Sequence, residues 1–354
     1  MGDKFVVGDS AHVKWGGGGI SGRRDERNTF NGTLQYDLNP LILRFSAAVT
    51  SRERIINERP IYRIFNEGRL RQRDDQNSLF NLKASYFISK NTVFDANVAV
   101  YKFDWQVYDP NFTKDGKFDF DTVMSYGDSA TVAEVNPLWK YKTATTPPED
   151  YSFAGFIFQR PGDIVTGYRK REQSYLDFSS NLQTQMNNHN IRVGMSLKTW
   201  EVRYYTFGAG AVSRLNRQIN DPNSTFKADL SAKNAAAART LRNNAVSGFG
   251  YDEFGRVIED NDDIDGAKTP SFFSVYINDK IEVSDIIVNI GLRVDKFDLD
   301  TWHLADTSNP GFISGEETVD PESLSKSPSE TVIQPRLGLA FPISDRTVFH
   351  LQYG

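Results

Sequence analysis

The stretch "KIEVSDIIVNIGLRVDKFDLD", Lys280 to Asp300, decides how the rest of the chain is read. After a short turn it alternates apolar and polar residues. Ile286, Val288, Ile290, Leu292 and Val294 fall on one side of an extended strand, and Asn289, Gly291, Arg293 and Asp295 on the other. A soluble core against the first face and bulk water against the second would satisfy such a strand. Lipid outside and an aqueous lumen inside would satisfy it equally.

The same pattern recurs in closely spaced pairs. Leu34, Tyr36 and Leu38 lead to an Asn39-Pro40 turn, and Leu41, Leu43, Phe45, Ala47 and Val49 follow it. Leu82, Ala84, Tyr86 and Ile88 are joined through Ser-Lys-Asn to Phe94, Ala96, Val98 and Val100. Leu176, Phe178 and Leu182 precede Asn-Asn-His-Asn, with Ile191, Val193, Met195 and Leu197 beyond. Val275, Ile277 and Ile281 pair through Ser284-Asp285 with the opening stretch. Leu337, Leu339 and Phe341 pair with Phe349, Leu351 and Tyr353. Asn, Asp, Ser, Pro and Gly stand where tight turns need them.

Between these hairpins, residues 51–78, 106–173, 206–270 and 298–333 are long, polar loops. Compact soluble domains seldom hold structureless connections beyond about fifteen residues. Short turns at one end and long loops at the other mark outer-membrane barrels. The lengths agree: a strand of about ten residues, tilted by about 40°, covers roughly 25 Å of membrane. The predicted fold is therefore all-β, an antiparallel transmembrane barrel segment of about ten strands over 29–354. Residues 1–28 are expected to form a loop and an incomplete N-terminal segment.

The face opposite the apolar one carries Lys83, Asp95, Asn97, Asp177, Asn181, Gln183, Arg192, Lys198, Arg293, Arg336 and His350. An Arg or Lys at the bilayer midplane costs about 2–4 kcal/mol, so these side chains are expected in a wet lumen. Asp279 breaks the apolar series beside Ile277 and is expected near the interface.

Composition permits this reading. Hydrophobic residues make up 39% of the 354, charged residues 25%, and mean hydropathy is −0.50. No run of about eighteen apolar residues exists, so no transmembrane helix is expected; alternating strands keep mean hydropathy low. Aromatic content is 13%, compatible with interfacial girdles. A net charge of −5 argues against a nucleic-acid partner, which calls for a basic surface. Without cysteine there are no disulfides, thiolate metal sites or cysteine nucleophiles.

Three motifs now carry a resemblance. "YINDKIE" (Tyr276, Asp279, Lys280, Ile281, Glu282), "NIGLRVD" (Asn289, Gly291, Arg293, Asp295) and "PRLGLAFP" (Pro335, Arg336, Gly338, Ala340, Phe341, Pro342) resemble barrel strands of TonB-dependent outer-membrane receptors. The most similar branch is the Bacteroidetes type, with a carboxypeptidase-regulatory-like domain before the plug. "WGGGG", "RRDER", "FNG" and "RERIINERP" resemble a loop and strand of that branch. The resemblance implies a barrel of about 22 strands, filled by a plug and energised through TonB. It implies ligand capture by extracellular loops, import across the outer membrane, and a small-molecule, oligosaccharide or peptide ligand. Neither leader, plug nor TonB box is read in these residues, so the chain resembles a central slice of a longer receptor. A passive porin, or a surface adhesin without transport, are the alternatives.

Other motifs are weaker. Gly8-Asp9-Ser10 with Asp300 and His303 resembles hydrolase blocks, but no βαβ pattern accompanies them; no enzyme and no cofactor are expected. Asn261, Asp263 and Asp265 before Gly266 fit the start of a calcium loop, but Phe272 stands where the bidentate Glu belongs. Trp105, Tyr108, Trp139 and Tyr151 would serve either a ligand surface or loop packing.

Overall fold

A computed structural model describes residues 22–115, 150–159, 165–208, 246–252, 255–312, 319–344 and 346–354, with the backbone alone at 4–7, 10–13, 117–118 and 151. Ten long strands form the wall. They are β1 (Asp25–Asp37), β2 (Leu41–Ile56), β3 (Arg71–Ser89), β4 (Thr92–Tyr108), β5 (Tyr168–Met186), β6 (His189–Phe207), β7 (Ser271–Val283), β8 (Ile286–Asp298), β9 (Glu330–Ser344) and β10 (Thr347–Tyr353). Each pairs antiparallel with the next, an up-and-down order with no crossover. Among the described residues β1 and β10 do not pair with each other, so the sheet is an open part of a barrel. No described helix is long and apolar enough to cross a membrane.

Connections at one end of the sheet are short, at 38–40, 90–91, 187–188, 284–285 and 345–346. Asn187 and Ser284 take positive φ there. Asn tolerates that region best, and tight two-residue hairpins demand it. The third turn is tighter than the sequence suggested: His189 and Asn190 already pair with Met186 and Gln185. The other end carries the long connections 57–70, 109–167, 208–270 and 299–329.

The register places the predicted apolar positions on one face, except Leu38, which lies in the first turn. One row runs Phe45, Leu82, Val98, Phe178, Leu197, Phe273 across six strands. Most of these side chains are bare: Leu82 is 47% exposed, Val98 39% and Ile277 50%. Water would not tolerate so wide an apolar surface, whereas acyl chains cover it. The belt is about nine residues long on β2, from Leu41 to Val49, the length a tilted strand needs to span hydrocarbon. Tyr36, Tyr86 and Phe94 edge it near the short turns, and Phe30, Phe80 and Phe273 edge it opposite.

Strands overrun the belt, and this corrects the expected boundaries. β1 starts at Asp25 rather than after residue 28, β2 continues to Ile56, and β5 and β6 run 19 residues each. Beyond the belt the alternation between an apolar and a polar face is lost, so the apolar signature ends while the hydrogen-bond ladder continues. Arg52 to Asp75 and Asp74 to Gln106 are cross-strand pairs in that region.

Above the belt the wall acquires protein cover. β7 reaches up only to Ser271, opposite Thr199, and the slot it leaves beside β6 is filled by a short strand, Val246–Phe249, paired with Tyr204–Phe207. Tyr205 and Phe207 are fully buried there with Tyr168 and Tyr251. Lys170 donates to the Gly255 carbonyl at 2.9 Å, and its ammonium lies 3.7 Å from the Tyr251 ring centre. Burial pushes this lysine down to about 8. A second buried core holds Phe112 and the Arg69–Asp109 ion pair at 2.5 Å, with the Asn111 amide donating to the same carboxylate.

Two glycines of the polar face permit close packing. A Cβ on Gly194 would overlap the Tyr276 ring, and one on Gly291 would overlap the Asn278 side chain. Cross-strand partners fill both gaps, and the aromatic ring over Gly194 is a device that also fixes register.

Candidate functional site

All eleven polar positions singled out in the sequence, from Lys83 to His350, lie on the face opposite the apolar belt. The structure arranges them in tiers. Near the short turns, Arg192, Asn278, Gly291 and Arg336 form one row across four adjacent strands. At mid-height charges alternate: Lys83 with Asp95 at 3.4 Å, Lys198 with Asp177 at 3.8 Å, and Arg293 with Asp295 at 2.8 Å. Asp95 also accepts from the Ser85 hydroxyl, and Asp295 from the Gln334 amide at 3.0 Å. The Tyr276 hydroxyl donates to Asn181 at 3.0 Å, so the ring seated over Gly194 is tied to β5 as well. Asn97 lies in the ladder between Lys83 and Ser179.

Higher up stands an aromatic shelf that the sequence reading missed. Tyr101 stacks on Tyr175 at 4.9 Å, and Tyr175 meets Trp200 edge-on at 4.6 Å. Lys198 lies 4.0 Å from the Tyr175 ring centre and 5.0 Å from that of Trp200. Beyond them Arg73 lies 4.8 Å from the centre of Trp105, whose ring approaches Tyr204. The shelf sits at the level where the outward face changes from Leu176 to Ser174. The signal was present: Tyr175 and Trp200 have the same strand parity as Asp177 and Lys198. Stacked rings with a cation alongside bind flat or cationic-edged ligands and sugar faces through dispersion and ring quadrupoles.

Other expectations resolve differently. Asp279 lies on the apolar face near the short turns, with His189 Nδ1 2.6 Å from its carboxylate. Pairing on the strand beside it lowers the cost of a carboxylate at that edge. The calcium-loop residues have other partners: Asn261 accepts from Arg203 at 3.4 Å, and Asp263 from the Asp265 amide at 2.9 Å. Among the described residues no group of three acidic or His side chains could hold a metal. Asp300 accepts from the Thr269 amide and hydroxyl, while His303 lies against Ser325 and Ser327, so the two do not form a relay. Trp105 faces the polar side. Tyr108 is buried and donates to Gln72 at 3.2 Å. Trp139 and the Tyr151 side chain lie outside the described residues.

A wall with a bare apolar belt, a polar opposite face, short turns at one end and long loops at the other defines a membrane β-barrel protein. The family model described as "Outer membrane beta barrel domain" matches residues 21–354, and the chain belongs to that family. Its place is the cell outer membrane. A search of curated proteins returned no match. Among solved structures the chain is similar to the FrpB iron transporter from Neisseria meningitidis (F3-3 variant), with 12% identity over 93% of this chain and 37% of that one, TM-score 0.46. It is similar to the ferric-catecholate import receptor Fiu from E. coli K12 in its open form, with 10% identity over 99% and 51%, TM-score 0.46. A third is the siderophore receptor PiuA from Acinetobacter baumannii, with 12% identity over 92% and 41%, TM-score 0.42. The chain thus spans about a third to a half of the length of these proteins.

Proposed function

We propose that the chain is a wall of a TonB-dependent outer-membrane receptor, of the branch that its strand motifs resemble. The long loops at the 57–70, 109–167, 208–270 and 299–329 end face outward and capture a ligand. The polar face, with Lys83, Asp95, Asn97, Asp177, Asn181, Arg192, Lys198, Arg293 and Arg336, lines the lumen through which the ligand passes. A plug and the TonB protein, neither part of these residues, supply gating and energy. The aromatic shelf at the upper edge of the lumen is the first lumenal surface that an entering ligand meets.

The observation that carries this reading is the division of the sheet into a bare apolar face and a face of alternating ion pairs capped by stacked aromatics. A merely structural wall needs the first face but no ordered shelf on the second.

Uptake of candidate nutrients into cells making the full-length protein tests it. Receptor action requires that a protonophore stop uptake and that Trp200→Ala with Tyr175→Ala reduce it. Uptake that survives the protonophore, with steady conductance in planar bilayers, would identify a passive porin instead. No uptake and no conductance, with cell binding retained, would identify an adhesin.

A further inference from the structure

Strand alternation assigns every wall side chain to one of two faces, and charge divides unequally between them. The polar face carries fourteen Arg and Lys against eight Asp and Glu, although the chain as a whole has a formal net charge of −5. The opposite face carries four against eight. Six of the eight carboxylates on the polar face already lie within ion-pair distance of a cation on it. Arg192 and Arg336 are cations with no carboxylate at that distance among the described residues.

These two arginines end the row Arg192, Asn278, Gly291, Arg336. Three inter-strand steps separate their backbones by roughly 14 Å, a span within the combined reach of two arginine side chains. Gly291 contributes no side chain between them, and Asn278 leans into its place. The row floors a concavity of about 840 Å³ that Asn190, Asp279, Lys280, Asn289 and Gln334 also line; the Asp279 carboxylate lies against His189. Amides donate to neutral and charged oxygens alike, whereas a guanidinium fork selects a carboxylate or phosphate.

We propose that Arg192 and Arg336 clamp an oxyanion of a small, multiply charged ligand, and that the basic polar face conducts such anions toward it. The placement of the clamp follows from the wall alone. Its role in uptake rests on the receptor reading above, because it gives that reading a substrate class: compounds bearing two or more carboxylates or phosphates.

Isothermal titration of the full chain in detergent micelles, with citrate as the probe at low salt, tests the clamp. Citrate should bind, glucose should not, and added salt should weaken the binding. Arg192→Gln and Arg336→Gln should each weaken it by about tenfold or more, the loss of one charge-assisted pair, while Lys102→Gln, on the opposite face of the wall, should change it little. Arg192→Lys keeps the charge without the fork and should fall between wild type and Gln; it guards against misfolding of the Gln variant. Citrate affinity unchanged in both Gln variants would overturn the clamp, as would a chain with intact β circular dichroism that takes up no citrate. Binding of an Asp-rich peptide but not citrate would also overturn it and reassign the pair to a protein segment. Protonophore-insensitive uptake with the clamp intact would sink the receptor reading alone. Citrate binding lost without any effect on uptake would separate the clamp from transport.

Discussion

Leu197 and Tyr205 belong to the same strand and point to the same side of the sheet, yet Leu197 is 40% exposed and Tyr205 fully buried. The belt leaves its aliphatic side chains bare, whereas the upper part of the wall hides its aromatics under Val246–Phe249 and Tyr251. One strand therefore records two solvents. Where lipid is present it covers apolar groups; where water is present, protein must do so.

Breaking the cover should have the largest effect. Phe207→Ala empties a fully buried site and should cost about 3–5 kcal/mol locally. Hydrogen exchange at Val246–Phe249 should lose its protection while the belt strands keep theirs. The reciprocal change, Leu197→Arg, puts a charge against acyl chains and should cost about 2–4 kcal/mol, read by denaturant titration of the chain folded in lipid vesicles. Glu201→Arg, four residues higher on the same face, should cost far less, and an equal penalty would place the belt wrongly.

Gly194→Ala should cost about 1–3 kcal/mol, since the Tyr276 ring must leave its seat. Loss of the Tyr276–Asn181 hydrogen bond would show as altered tyrosine absorption. The smallest effect concerns pH. Lys170 is lowered from its ordinary value to about 8 by burial. The folded cap thus holds fewer protons than the open one between about pH 8 and 10.5. Cap stability should rise with pH across that window and be flat below it, as exchange rates near Gly255 would report. Lys170→Met should abolish the slope.

How much of this was legible in sequence follows the same boundary. Inside the belt, alternation gave strand order, turn positions and facing, because lipid on one side and water on the other force a period of two. Above the belt that contrast disappears. Arg71 to Ser78 and Gln106 to Tyr108 read as loop, yet they are strand, held by backbone pairing that no hydrophobic pattern announces. The charged positions of the polar face were visible individually. Their pairing was not, because Lys198 meets Asp177 through a register that a single chain does not state. Tyr101, Tyr175 and Trp200 were overlooked for a related reason: aromatics in a membrane sequence are first read as interfacial girdle, and only strand parity separates the two uses.

The short strand Val246–Phe249 has a mechanical consequence. A loop hung from the wall by its ends swings freely, whereas this one is stitched into β6 along Tyr204–Phe207. It can open only by unzipping the seam one rung at a time. Any pull that a bound molecule exerts on that loop is therefore delivered to the backbone of β6, the strand that holds Trp200, Lys198 and Arg192 in line.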